Sequence, residues 1–337
     1  QPGRQTLDEV ALYDRALTAQ QVSAHRSAGL TAPSPSPSPS SAASATAAPS
    51  TSPSSTGSPF VSPVIAAAGD VACDPTDPNY NGGQGTANFC HMQATGSLLS
   101  ARPYAAVLPL GDAQYTDGTT SKFAASFQSA WGGSKSLMRP VPGNHEYLSN
   151  AAQGYYSYFG AQAGDPKQGW YSYDLGSWHV IALNGECGQV GGCGAGSPQE
   201  SWLRADLAAH PAACTLAYWH EPLFTSSEPN YTAYRPFWDD LYAARADVVL
   251  NGHVHNYERF APQDPSGVAD AAGVREFIVG TGGKDLVGFG TPLATSEVRS
   301  ASAYGALELT LNQGSYSWHF APEAGQTFTD AGSTACH

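Results

Sequence analysis

Past residue 60 the chain repeats one arrangement, a short apolar run followed by glycine and a polar residue. "PVIAAAGD" ends at Asp70, "YAAVLPLGD" at Asp112, "SLMRPVPGNH" at Asn144 and His145, "CTLAYWH" at His220, and "ADVVLNGHVH" at His253 and His255. Helix-like stretches lie between these runs, at Asn88–Leu99, Lys122–Trp131, Gln199–Ala209 behind Pro198, and Tyr234–Ala244. Strands that alternate with helices imply an α/β sheet. "GWYSYDLGSWHVIALN" instead reads as a hairpin turning at Leu175, Gly176 and Ser177, and "YGALELTLNQGSYSWHFAP" as a second hairpin. Two mixed β-sheets packed as a sandwich and flanked by helices accommodate both patterns. In such open sheets ligands gather beyond the carboxyl ends of the strands, which is where each of the polar residues falls.

Composition divides the chain into three parts. Every residue from Thr31 to Pro59 is Ala, Gly, Pro, Ser or Thr. Without large apolar side chains that segment cannot offset its ordering entropy, so residues 31–59 are expected to be an extended, disordered linker. Of the two flanks, only residues 60–337 are long enough to bury a sizeable core. With no initiator Met and no signal peptide, the chain is expected to be a fragment or a processed form.

The formal net charge is −13, from 15 basic and 28 acidic residues, with no basic run and no long apolar stretch. A nucleic-acid surface and a membrane span are therefore not expected. Six cysteines, none in a CxxC, beside a Ser/Pro/Thr linker suit an oxidising compartment and secretion. Short loops favour Cys73 with Cys90 and Cys187 with Cys193, leaving Cys214 with Cys336; free buried thiols are the alternative.

Singly, an aspartate after a glycine is a turn residue and a histidine after a tryptophan a core residue. Together, Asp70, Asp112, Tyr115, Asn144, His220, His253 and His255 supply seven metal-competent side chains from five strand ends. That is too many for one ion that leaves room for substrate, and about right for two. A carboxylate can bridge two ions, and Asp112 is the natural bridge because Tyr115 follows it by three residues.

These residues carry a resemblance. "GDVA", "GDAQY", "GNHE", "AYWH" and "GHVH" are similar, in order and spacing, to the five motifs of calcineurin-like metallophosphoesterases, and most of all to the purple acid phosphatase branch in its bacterial secreted form. The resemblance implies a first ion held by Asp70, Asp112, Tyr115 and His255, and a second held by Asp112, Asn144, His220 and His253. Related phosphoesterases place a histidine where Ala72 stands, so Tyr115 takes its place. A phenol with a pKa normally about 10 needs a strongly acidic ion to ionise it, which points to Fe(III) at the first site. Zn, Fe(II) or Mn would suit the second. His145 is expected to contact the substrate oxyanion or protonate the leaving group, with Glu146 orienting or tuning it, and Asp112 and His145 are the expected catalytic residues. The implied activity is that of a phosphatase acting on phosphomonoesters through a metal-bound hydroxide, with a phosphodiesterase on the same site as the alternative. Ala72 and Ala217 depart from the family's usual Gly and Val without removing a donor, and "EPLFTSSEPNY" lacks the extra histidines of the plant-type enzymes.

Residues 1–30 resemble the C-terminal tail of a laminin-G-like, concanavalin-A-type jelly roll. They raise a carbohydrate- or surface-binding role, or targeting through a missing upstream domain, against which the intact set of seven donors argues. His91 and His179 are read as structural or surface residues, and Arg259 as a partner of Glu258 or a nearby carboxylate. The loop at Gly252 is expected to let the backbone turn between the two ions that His253 and His255 serve.

Overall fold

The computed structural model describes residues 62–337; the jelly-roll tail and linker expected for residues 1–59 lie outside them. Twelve strands form two mixed sheets. They are β1 (Val64–Ala68), β2 (Ala106–Pro109), β3 (Tyr171–Leu175), β4 (Trp178–Ala182), β5 (Cys214–Tyr218), β6 (Val248–Asn251), β7 (Tyr257–Phe260), β8 (Arg275–Val279), β9 (Ser296–Ser300), β10 (Gly305–Asn312), β11 (Ser315–Pro322) and β12 (Ala331–Ala335). One sheet runs β12-β11-β10-β1-β2 and the other β3-β4-β5-β6-β8-β7-β9. β1 and β2 are parallel, as are β4, β5, β6 and β8, and the hairpin strands add the antiparallel edges.

Burial explains why the central strands read as continuous apolar runs. Val180, Leu216, Val248 and Phe277 pack into a core with Ile65, Leu108, Leu307 and Leu309 of the other sheet. Their neighbours Ile181, Ala217, Val249 and Ile278 point the opposite way, onto Leu203, Phe237, Trp238 and Leu241 of two helices. Successive side chains alternate faces, so a strand covered on both sides must be apolar at every position.

The helices are α1 (Met92–Leu98), α2 (residues 120–130, with a π turn at Phe123–Phe127), α3 (Asn144–Tyr147), α4 (Gln153–Phe159), α5 (Pro198–Ala209) and α6 (Arg235–Ala243). α5 starts at a Ser197 N-cap whose hydroxyl accepts from Glu200 N–H, with Pro198 in its first turn. α1 is shorter than expected because Cys90, tied to Cys73, has φ 67° and interrupts the helix before His91. "SLMRPVPGNH" is not a full strand. Pro140 and Pro142 have no N–H to donate, and only the bridges Met138 to Val107 and Val141 to Leu110 form.

All three disulfides pair as the short loops suggest, Cys73–Cys90, Cys187–Cys193 and Cys214–Cys336. Among the described residues no helix is long and apolar enough to cross a membrane. His179 is buried between Asp174 and Asp206, and His91 bonds Glu323, so both are structural. Arg259 pairs with Asp330 and Glu297. Its neighbour Glu258 faces away, onto Ser226 and Ser296, because adjacent strand residues point to opposite faces.

Candidate metal centre

Five chain segments carry their polar residues to one place. Asp70 follows β1, Asp112 follows β2, Asn144 opens α3, His220 follows β5, and His253 and His255 follow β6. Three of these residues leave their strands in the left-handed region, Asp70 at φ 61°, Asp112 at 45° and His253 at 68°. Such a conformation is costly for a residue with a Cβ and persists where the surroundings over-determine it. In the turn at Gly252 it is His253 that takes the left-handed conformation. Gly252 is needed for closeness, since a Cβ there would lie 2.7 Å from Leu110 O and 2.8 Å from Asp70 Oδ2. At Gly143 a Cβ would meet Asp112 Oδ1 at 2.3 Å.

The donors fall into two sets. In the first, the Tyr115 hydroxyl lies 2.8 Å from Asp70 Oδ1 and 2.9 Å from His255 Nε2, and that nitrogen is 3.2 Å from Asp70 Oδ1. In the second, His253 Nδ1 lies 3.2 Å from both Asn144 Oδ1 and His220 Nε2, and His220 Nε2 is 3.3 Å from Asp112 Oδ2. Asp112 faces both sets, since its charge also bears on the Tyr115 phenol. Atoms that share one ion at about 2.1 Å stand roughly 3.0–3.4 Å apart, so most of these separations suit a common ion.

The donor chemistry fits cations. His220 Nδ1 donates to Leu110 O at 2.7 Å, which turns the Nε2 lone pair towards Asp112 and His253. His255 Nδ1 is 2.7 Å from Asp285 Oδ1, which turns its Nε2 towards Asp70 and Tyr115. Nitrogens and oxygens with lone pairs therefore converge from all sides. The pocket's demand for positive charge shows in its proton affinities. Burial alone would pull the pKa of His255 down, yet the charge of Asp70 and the bond to Asp285 push it up to about 10. Burial is likewise outweighed by Asp112 at His220, whose pKa lies well above the ordinary value. Burial and the charges of Asp112 and Asp70 hold the Tyr115 phenol protonated, and only added positive charge reverses that.

His145 stands beside these sets. Its backbone N–H donates to Asp112 Oδ1 at 2.9 Å, its Nδ1 donates to Thr116 O, and its Nε2 lies 3.8 Å from Asp112 Oδ2. A quarter of the side chain is exposed, so the ring can meet a ligand. Glu146 does not orient His145 directly. Its carboxylate accepts from Gly143 N–H at 2.8 Å and Gln114 N–H at 3.1 Å, stitching the Asn144 turn to the Asp112 loop. Burial and the nearby Asp112 charge push its pKa up to about 8.

Sequence reasoning missed the outer partners. Asp285 backs His255, Leu110 O backs His220, and Tyr231 lies with its hydroxyl 2.7 Å from His253 Nε2, with the Glu228 carboxylate 4.0 Å from the same nitrogen. A carboxylate or carbonyl behind a ligating imidazole is a recurring feature of metal sites. No signal in the chain marked Asp285 or Tyr231, because each comes from a loop and is defined only by where that loop packs.

The sequence pattern of the family described as calcineurin-like phosphoesterase matches residues 68–257, which span the whole arrangement, and the chain belongs to that family. Its relatives put it beside the purple acid phosphatases. Purple acid phosphatase 15 of Arabidopsis thaliana is 28% identical over 191 residues, covering 45% of this chain and 35% of that protein. Purple acid phosphatase 1 of Ipomoea batatas is 33% identical over 104 residues, covering 29% and 21%. The chain thus spans about a third or less of the length of these relatives. Purple acid phosphatase PPD1 from yellow lupin (Lupinus luteus) seeds shares the fold, with a TM-score of 0.65 at 20% identity over 81% of this chain and 53% of that one. The family likeness implies a pair of metal ions.

Proposed function

We propose that residues 62–337 form a dinuclear-metal phosphatase that hydrolyses phosphomonoesters. The observation that supports it is the convergence of two donor sets on a shared carboxylate, Asp112, with His145 beside them. Asp70, Asp112, Tyr115 and His255 would hold the first ion, and Asp112, Asn144, His220 and His253 the second. Ferric iron suits the first set because of its phenol, and Zn, Fe(II) or Mn suits the second. When bound, such a pair supplies Lewis acidity and an acidified water.

The protein's own residues do the rest. Asp112 fixes the His145 backbone through its N–H, and Thr116 O occupies His145 Nδ1, so Nε2 is the nitrogen that faces the substrate. There it would donate to a phosphoryl oxygen or pass a proton to the departing alcohol. The Asn144 side chain takes part in substrate binding as well as in the second donor set. Three disulfides and the secreted habit expected of this branch support a location outside the cytoplasm.

Asp112→Asn tests the reading most broadly. Loss of the bridge should remove metal from both sets and lower turnover of p-nitrophenyl phosphate by about three orders of magnitude. Unchanged metal content and turnover would sink it. Parallel kinetics on a bis-ester separate the monoesterase from a diesterase.

A further inference from the structure

A cavity of 330 Å³ opens directly on the two histidines, lined by Ser227, Glu228, His253, Val254, His255, Val287 and Gly288. Glu228 is its one charged group besides those rings. The carboxylate is 38% exposed and lies 4.0 Å from His253 Nε2. Among the described residues no lysine or arginine lines the cavity. Lys284, whose ammonium stands 5.6 Å from the centre of the Tyr115 ring, is paired with Asp77 at 2.9 Å. Val287 gives the cavity an apolar part and is itself 40% exposed.

These features suit one kind of alcohol group. Resting on the proposed phosphatase activity, we infer that this cavity receives the alcohol part of the substrate and selects phosphomonoesters whose alcohol is short and positively charged, of the aminoalkyl or trimethylammonioalkyl class. The phosphoryl group would sit on the metal centre. The ammonium would then lie against the Glu228 carboxylate, and its methylene or methyl groups against Val287. An alcohol that carries a carboxylate or further phosphates would meet Glu228 with no cation to compensate, and like charges at this range repel. Glu228 also lies beside Tyr231, whose phenol is held protonated by burial and by that carboxylate's charge.

The test compares three esters of similar size on the metal-loaded protein: phosphoethanolamine, propyl phosphate and phosphoglycolate. The expected order of kcat/KM is cationic, neutral, anionic, with up to about fivefold between the first two, the scale of a partly exposed ion pair. In Glu228→Gln, which keeps the size of the side chain and removes its charge, the ratio of phosphoethanolamine to propyl phosphate should fall to about one. In Glu228→Lys the preference should turn towards phosphoglycolate. A wild-type ratio of one or below, or a ratio that stays the same in Glu228→Gln, overturns the inference while leaving the phosphatase reading in place. No turnover of these esters or of p-nitrophenyl phosphate by the loaded protein overturns both.

Discussion

The two halves of the candidate centre share Asp112 but differ in their other donors, an aspartate, a phenol and one histidine against an amide and two histidines, and they are backed differently. In the first, His255 donates its outer N–H straight to a carboxylate, Asp285, at 2.7 Å. In the second, His253 meets a phenol, Tyr231, at 2.7 Å, and the carboxylate of Glu228 stands off at 4.0 Å. A directly bonded carboxylate makes an imidazole the more electron-rich ligand. That sets the first half, which also carries the Tyr115 phenol, apart as the harder and more negative one. His253 joins the halves. Its ring serves the second set while its backbone N–H donates to Asp70 Oδ2 at 2.8 Å in the first.

The contrast can be broken one side at a time. Asp285→Asn should weaken the first ion by about 10- to 100-fold and leave the second in place, as read by metal content after dialysis against a graded chelator. Loss of both ions together would mean that the halves are not separately backed. Tyr231→Phe should act on the second ion, at the lower end of the same range, about tenfold, because a phenol is the weaker partner. If it loosened the first ion instead, the assignment of His253 would be wrong. The smallest effect should come from Glu146→Gln, which touches neither set. One of the two backbone N–H groups that Glu146 holds would lose its acceptor, at about 1–3 kcal/mol of stability in denaturant unfolding.

The fold and the donors are legible for the same reason. Strands covered on both faces must be apolar throughout, so β1, β2, β5 and β6 stand out as runs, and the residues just past the end of each run lie by topology at the ligand edge. Asp70, Asp112, His220, His253 and His255 all declare themselves in that way. The two prolines hide the irregular geometry around Met138–Val141, because an apolar run reads alike whether or not its N–H groups can pair. Glycine is the usual left-handed residue, which points to Gly252 as the turn, whereas here the fold forces that conformation on His253. Asp285, Tyr231 and Glu228 are invisible in the chain because hydrogen bonds between loops distant in sequence leave no periodic trace.

The most direct measurement of the central claim is metal analysis of the purified protein together with its visible spectrum. The account predicts two metal ions per chain, one of them iron, and a tyrosinate-to-Fe(III) charge-transfer band that vanishes in Tyr115→Phe. An active protein that is colourless and holds only zinc or only manganese would contradict it.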